Sequence, residues 1–188
     1  MRSDFATNFG AFQIVRPSSI MKYPSGELVE ETGYISRLDS SKKPVNSYST
    51  VTIKNPYGPP KYWSYGLMFR TDDGMGMVIV HSKTSMGGNW ELSYRSDAAN
   101  SVTTSVITYE TASNLKMNAG ESNKLGLMVI DNVGVLYLND QKVSEFDLTA
   151  ISGTGQSGVA SGWYGGDEWE PIGTVTEFED LNVWSLGD

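Results

Sequence analysis

The chain has 188 residues, a formal net charge of −8 and no cysteine. The negative charge disfavours nucleic acids and anionic membranes as partners, because both would repel the protein. Without cysteine there is neither a disulfide framework nor thiol chemistry. A chain of this length buries about 70% of its unfolded surface, so it needs no metal or disulfide for stability. We therefore expect one domain over residues 1–188, with no cofactor, no nucleic-acid partner and no membrane insertion.

The elements are predicted in chain order from apolar spacing. Residues 1–20 are apolar enough to form an N-terminal strand and arm packed on the domain, and the Pro-Ser-Gly of 24–26 is typical of a turn. Alternating residues over 48–53 predict a half-buried strand, which the prolines within 55–60 end because proline donates no ladder hydrogen bond. Further strands are predicted at 63–69, 75–80, 90–94, 101–109 and 159–163.

The segment 123–146 gives the clearest pattern in the chain. Apolar residues recur at every second position, and the pairs Asp131-Asn132 and Asn139-Asp140 interrupt them. Period-two spacing bounded by Asx-rich pairs is typical of antiparallel strands joined by tight turns. The sequence thus predicts a meander of three strands here.

The last predicted strand covers Val175 to Leu186. Its apolar positions change phase between Phe178 and Leu181, which predicts a β-bulge near residues 179–180. If this strand pairs with the N-terminal arm, Phe178, Leu181 and Val183 are buried. No amphipathic helix of useful length and no repeat is found, so the predicted fold class is an all-β antiparallel sandwich or barrel.

Three segments are distinctive, namely Leu136–Asp140, Tyr65–Arg70 and 176–184. Together they resemble the concanavalin A-like lectin/glucanase superfamily, whose relatives include laminin G-like domains. The resemblance implies an antiparallel β-sandwich of the jelly-roll type, and it carries function only by analogy of fold. Asp140 stands where the superfamily usually has glycine, so we expect a looser turn or one of another type.

The segment Trp163–Glu170 has the composition of a sugar-binding loop. Sugars stack their C–H faces on aromatic rings, and nearby carboxylates accept hydrogen bonds from their hydroxyls. The candidate ligand-binding residues are Trp163, Tyr164, Asp167, Glu168 and Trp169, with Tyr57 and Tyr62 as a second aromatic loop on the rim of the same groove. The alternative is structural, with Trp163 capping the core, Trp169 covering a sheet edge, and both tyrosines as surface cover. Trp63 and Trp90 are expected in the core.

Other chemical groups give weaker patterns. Glu177 and Glu179 lie on one side of a predicted strand, roughly 7 Å apart, a separation that could serve a glycosidase. His81 is the only histidine and is expected to be solvated at a strand end. Residues 72–74 and 131–132 could ligate a structural calcium through oxygen atoms, although both are also ordinary turn sequences.

The leading hypothesis is a non-catalytic carbohydrate-binding module of a larger extracellular or cell-surface protein, with a glycan or polysaccharide as its partner. A structural or adhesive interaction domain without a sugar ligand is the first alternative. A glycoside hydrolase or lyase is the second. The composition also fits a cytoplasmic protein, and it does not set the oligomeric state.

Overall fold

The described part of the chain forms two antiparallel six-stranded sheets. The computed structural model describes residues 18–30, 36–72, 74–83, 87–96, 103–162 and 171–187, and none of these is helical. In spatial order the first sheet consists of β1 (Ser18–Val29), β12 (Val175–Ser185), β3 (Ser47–Lys54), β8 (Ser122–Ile130), β9 (Val133–Leu138) and β10 (Gln141–Asp147). The second sheet consists of β2 (Ser36–Asp39), β11 (Gly158–Ser161), β4 (Ser64–Phe69), β5 (Met75–Lys83), β6 (Gly87–Ser96) and β7 (Thr103–Thr111). This architecture confirms the predicted all-β sandwich.

The core lies between the sheets. Alternate residues of β3 are buried, as a strand with one face on a core requires. Ile53 of β3 and Leu125 of β8 join Leu67 of β4 in one apolar cluster that connects the two sheets. Trp63 and Trp90 are fully buried in the same cluster, as predicted. Such rings remove a large apolar area from water and contribute much of the stability.

The predicted meander is confirmed as β8, β9 and β10, but its second turn differs from the expectation. Asn139 and Asp140 have φ angles of 50° and 64°, the signs that a type I′ turn requires at both central positions. The Asn139 amide donates 2.8 Å to the Asn114 carbonyl, and its side-chain oxygen accepts 3.0 Å from the Lys124 backbone nitrogen. These bonds hold the tight turn without the glycine usual at position 140, so the expectation of a looser turn is wrong.

The closing strand β12 lies between β1 and β3 in the first sheet. Its register with β3 shifts between Glu179 and Asn182, and Asp180 adopts a φ of 52°. This is the predicted β-bulge. The buried side chains on either side of it keep facing the core: Phe178 is 2% exposed, and Leu181 and Val183 are 0% exposed. The extra residue therefore keeps the apolar side chains before and after the bulge on the same face of the sheet.

The prediction of a turn at residues 24–26 is wrong, because β1 runs straight through them. Ser25 pairs with Glu179 and Tyr23 with Leu181, which leaves Pro24 opposite the bulge residue Asp180. A proline without an N–H is tolerated there because β1 is an edge strand. Strand β2 was not predicted at its observed position, and residues 1–17 of the expected N-terminal arm lie outside the described residues.

A buried polar cluster links the two sheets. Asn123 of β8 donates 2.8 Å to the Tyr65 hydroxyl oxygen of β4, and that hydroxyl donates 2.7 Å to the side-chain oxygen of Asn55. The Asn123 amide also donates 2.9 Å to the Lys116 carbonyl, while its oxygen accepts 2.9 Å from the Lys116 backbone nitrogen. Because buried polar groups are costly unless paired, these bonds fix the loop carrying Lys116 against both sheets.

We predict a loss of stability in alkali that depends on tyrosine protons. Burial raises the pKa of Tyr65 above its usual value and raises the pKa of Tyr48 to about 12. The unfolded chain releases these protons near pH 10. From about pH 10 to pH 12 the folded state therefore holds more protons, so the free energy of unfolding falls as pH rises. Urea denaturation at a series of pH values measures this, and Tyr48→Phe should show a shallower decline; equal declines in both proteins contradict the prediction.

Candidate functional site

The outer face of the second sheet carries a polar cluster. Val80 and Trp90 are cross-strand partners and lie in the core between the sheets. Since side chains alternate along a strand, His81 of β5 and Glu91 of β6 face outward. Tyr109 of the edge strand β7 lies directly opposite Glu91. The register thus places a histidine, a carboxylate and a phenol side by side on one face.

Glu91 is the centre of this cluster. Its carboxylate accepts a 2.7 Å hydrogen bond from the Ser93 hydroxyl and lies 3.9 Å from His81 Nε2. The His81 and Tyr109 rings lie 5.5 Å apart between centroids. Desolvation raises the pKa of Tyr109, and the charge of Glu91 adds to the effect. The arrangement holds a carboxyl group next to an imidazole. The imidazole is a polar recognition group and a candidate proton-transfer group.

The cluster is largely closed to solvent. His81 is 6% exposed and Glu91 2%, whereas Tyr109 is 43% exposed. The expectation that His81 is solvated is therefore wrong, because strand pairing brings it against Glu91. Farther along the same face, Met77 and Ile79 are also buried. Among the described residues, Tyr109 is thus the member of this group that a ligand could reach.

The sequence reasoning missed Glu91 and Ser93, although a signal was present. In Trp90-Glu91-Leu92-Ser93, apolar and polar residues alternate, so the two polar side chains share the face opposite the tryptophan. His81 lies on the neighbouring strand, diagonally across from Glu91, because the β5–β6 register pairs His81 with Asn89. Alternation within one strand does not contain this register.

The main predicted site lies outside the part of the chain that the structure describes. This applies to Trp163, Tyr164, Asp167, Glu168 and Trp169. The residues that flank this segment are described. Gly162 donates its backbone N–H to the Ser64 carbonyl at 3.3 Å. On the other side, the hydroxyls of Thr174 and Tyr57 are hydrogen-bonded at 2.8 Å.

The predicted aromatic loop at Tyr57 and Tyr62 is fixed beside the same end of β5 that carries His81. The Ser82 hydroxyl accepts 3.2 Å from the Trp63 backbone nitrogen and donates 3.3 Å to the Lys61 carbonyl. Lys61 places its ammonium 4.6 Å from the centroid of the Tyr57 ring, a cation–π distance. Tyr57 and Tyr62 are both half-buried. The structure therefore brings this loop to Thr174, which follows the segment from Trp163 to Glu170.

Glu177 and Glu179 are exposed on the outer face of the first sheet. Glu177 accepts a 2.7 Å ion pair from the Lys54 ammonium. The open depression around both carboxylates is lined by Ser25, Gly26, Glu27, Glu177, Phe178 and Glu179. Its one aromatic ring, Phe178, faces the core and is 2% exposed. The residues that line this depression supply no exposed ring for stacking a sugar.

The turn residues considered for calcium have other contacts. Asp72 is bound by the Lys43 ammonium at 2.7 Å and by the Thr154 hydroxyl at 2.9 Å, and these hydrogen bonds lower the pKa of its carboxyl. Asp131 begins the β8–β9 turn with a φ of 49°. Within the described ranges no group of three or more acidic or histidine side chains is placed to bind a metal. In those ranges there is also no helix long and apolar enough to cross a membrane.

Comparison with known proteins identifies the fold. No family model and no curated protein matches the chain. Among solved structures, the carbohydrate binding module CBM66 from Bacillus subtilis superposes with a TM-score of 0.59 at 15% identity, covering 90% of this chain and 95% of that one. The chain has the concanavalin A-like jelly-roll fold. The same jelly roll is found in the kappa-carrageenase from Pseudoalteromonas carrageenovora, with a TM-score of 0.55, 11% identity, and coverage of 80% of this chain and 67% of that one.

A third jelly roll of this kind is the alginate lyase Aly36B, with a TM-score of 0.53 and 10% identity over 97% of this chain and 90% of that one. The three similar structures are thus a binding module, a carrageenase and a lyase. At such low identity the jelly roll is shared while residue roles are not, because one fold supports many functions.

Proposed function

We propose that this jelly roll is a non-catalytic carbohydrate-binding module of a larger extracellular or cell-surface protein. One observation carries the proposal: Gly162 and Thr174 anchor the flanks of the aromatic-acidic segment beside the Tyr57 loop. A segment anchored in this way can combine its own rings and acids with those of the loop in one site. The fold shared with a carbohydrate binding module supports the same proposal.

In the proposed site, rings bind the apolar faces of sugar residues and acids bind their hydroxyls. Trp163 and Trp169 supply the largest rings, and Tyr62 extends the surface along its rim. Asp167 and Glu168 accept hydrogen bonds from the sugar hydroxyl groups. Such hydrogen bonds are stronger when the acceptor is charged. Tyr57 has a structural part as well, since its hydroxyl is bonded to Thr174.

The proposal is for binding without catalysis because the described carboxylates lack a catalytic arrangement. Glycoside hydrolysis commonly uses two carboxyl groups on either side of the scissile bond. Glu91 accepts a hydrogen bond from Ser93 and lies beside His81. Glu177 is ion-paired with Lys54. Neither group presents a pair of carboxylates beside an exposed aromatic ring.

We predict that the folded protein binds oligosaccharides and that Trp169→Ala and Tyr62→Ala each weaken binding by about tenfold or more. A glycan array identifies the sugar, and calorimetric titration measures the affinity. Tyr23→Ala is the matched control, because Tyr23 is an exposed tyrosine on β1, opposite Leu181. A blank array from protein with an intact circular dichroism spectrum argues for the structural or adhesive alternative.

The enzyme alternative has its own test. Glu91 and its neighbour His81 are the described groups that favour it, since both are buried and in contact. Incubation with carrageenan, alginate and xylan should release neither new reducing ends nor unsaturated products. If product forms and Glu91→Gln abolishes its release while leaving the fold intact, the protein is an enzyme.

A further inference from the structure

The outer face of the first sheet contains a cleft whose floor is the backbone of Gly126. This glycine lies in β8, directly between Thr50 of β3 and Tyr137 of β9. The cleft has a volume of about 50 Å³ and is lined by Tyr48, Thr50, Lys124, Leu125, Gly126, Tyr137 and Asp140. It shares no residue with the site proposed around Tyr57.

The absence of a side chain at Gly126 creates this cleft. A Cβ atom there would lie 3.3 Å from the Tyr48 hydroxyl oxygen and 3.4 Å from the Cβ of Tyr137. A methyl group would therefore close the space between the two tyrosines, and the Tyr48 hydroxyl would have to move by a few tenths of an ångström to admit it. Glycine inside a central strand weakens the strand, since it costs backbone entropy and packs nothing. The close approach of the Tyr48 side chain favours glycine here, and the missing side chain also leaves the backbone accessible to another molecule.

The walls of the cleft are held in place by packing. Tyr48 stacks on Trp184, with ring centroids 5.5 Å apart and planes inclined by 20°. Met128 and Val135 are buried beside the rings, and both Tyr48 and Tyr137 pack against them. The two tyrosines are half-buried. A ring fixed in this way binds a ligand with little loss of side-chain entropy.

The charges at the mouth of the cleft favour a neutral ligand. Lys124 Nζ and Asp140 Oδ1 form an ion pair of 2.6 Å, and both side chains are more than half exposed. The pair adds no net charge, but it offers a donor and an acceptor beside the Thr50 hydroxyl. An anionic ligand would have to compete with Asp140 for Lys124. A neutral polyhydroxylated ring with an apolar C–H face matches both the tyrosines and the ion pair.

We propose that the Gly126 cleft binds a neutral sugar residue, as a second glycan site on this protein. The cleft is too small for a whole pyranose, so it receives a hydroxyl or hydroxymethyl group while the sugar ring lies over Tyr137. Lys124 and Asp140 bind the ring hydroxyls. Two sites on one module raise the affinity for a long polysaccharide through effective concentration.

The test is an amide NMR titration of the intact protein with cellotetraose, xylotetraose and mannotetraose at millimolar concentrations. At least one of these neutral probes should shift the amides of Thr50, Gly126 and Tyr137. Gly126→Ala, which fills the cleft and suits an extended strand, should weaken that binding by about tenfold or more. Lys124→Ala should also weaken it.

Lys54→Ala is the matched control, because Lys54 is likewise an exposed lysine in an ion pair on this sheet. It should leave the affinity unchanged. The proposal is overturned if no probe shifts the cleft amides, or if Gly126→Ala binds as the parent does. Shifts confined to residues 57–62 also overturn it, while supporting the site proposed there. Shifts at the cleft that persist in Tyr62→Ala support the second site whatever the outcome at the first.

Discussion

Removal of all residues after Gly173 should convert the soluble protein into an aggregating one. The deletion takes away β12, which lies between β1 and β3 in the first sheet. Its loss leaves both neighbours with unpaired backbone groups and uncovers the core beneath Phe178. Long unpaired edges next to exposed apolar surface pair with other chains. Size-exclusion chromatography and light scattering measure the outcome, and a soluble shortened domain that unfolds in one cooperative step would show that the assigned architecture is wrong.

A single substitution in the same strand tests the same architecture with a smaller expected effect. Leu181→Ala should lower the free energy of unfolding by about 2–5 kcal/mol, the usual range for a buried leucine. Val175→Ala is the matched control, because Val175 belongs to the same strand and is 41% exposed. It should change stability by less than about 0.5 kcal/mol. Denaturation by urea gives both values.

Asn123→Ala should lower the free energy of unfolding by about 2–4 kcal/mol, although it removes little apolar surface. The amide of Asn123 bonds to Tyr65, Lys116 and Asn55, and its oxygen accepts from Lys116 and Asn139. Truncation leaves several of these buried groups with fewer partners, and each such loss costs about 1–3 kcal/mol before relaxation. The measurement is again urea denaturation.

A double-mutant cycle separates this network from a general packing effect. Tyr65→Phe removes the hydroxyl that accepts from Asn123 and donates to Asn55. Because both single variants break the same bond, the double variant should lose less stability than the sum of the two. Strict additivity, or a loss below about 1 kcal/mol in Asn123→Ala, would contradict a cooperative polar link between the sheets.

The binding proposals have unequal support from the sequence. The sequence singled out Tyr57 and Tyr62 because aromatic residues flank a proline-rich loop. The structure bonds Tyr57 of that loop to Thr174, which follows the tryptophan segment. Nothing in the sequence around Gly126 indicated a cleft. A single glycine in an alternating strand marks no ligand site until Tyr48 and Tyr137 are known to lie on either side of it.

The sequence by itself determined the strands of the meander, the positions of its turns and the bulge in the closing strand. These features depend on alternation and turn chemistry within a few residues, which the chain carries locally. The phase change between Phe178 and Leu181 is of this kind, since an extra residue is needed to keep both side chains on one face.

Only the tertiary structure decided which strands are neighbours and what each outer face presents. Pro24 lies inside a strand because its neighbour β12 bulges opposite it, and no pattern around Pro24 contains that partner. In the same way, Glu91 and His81 are separated by ten positions in sequence, and the β5–β6 register brings them together and buries them. The register of a strand and the burial of a sheet face depend on contacts between segments that are distant in sequence. No single stretch of the chain therefore predicts them.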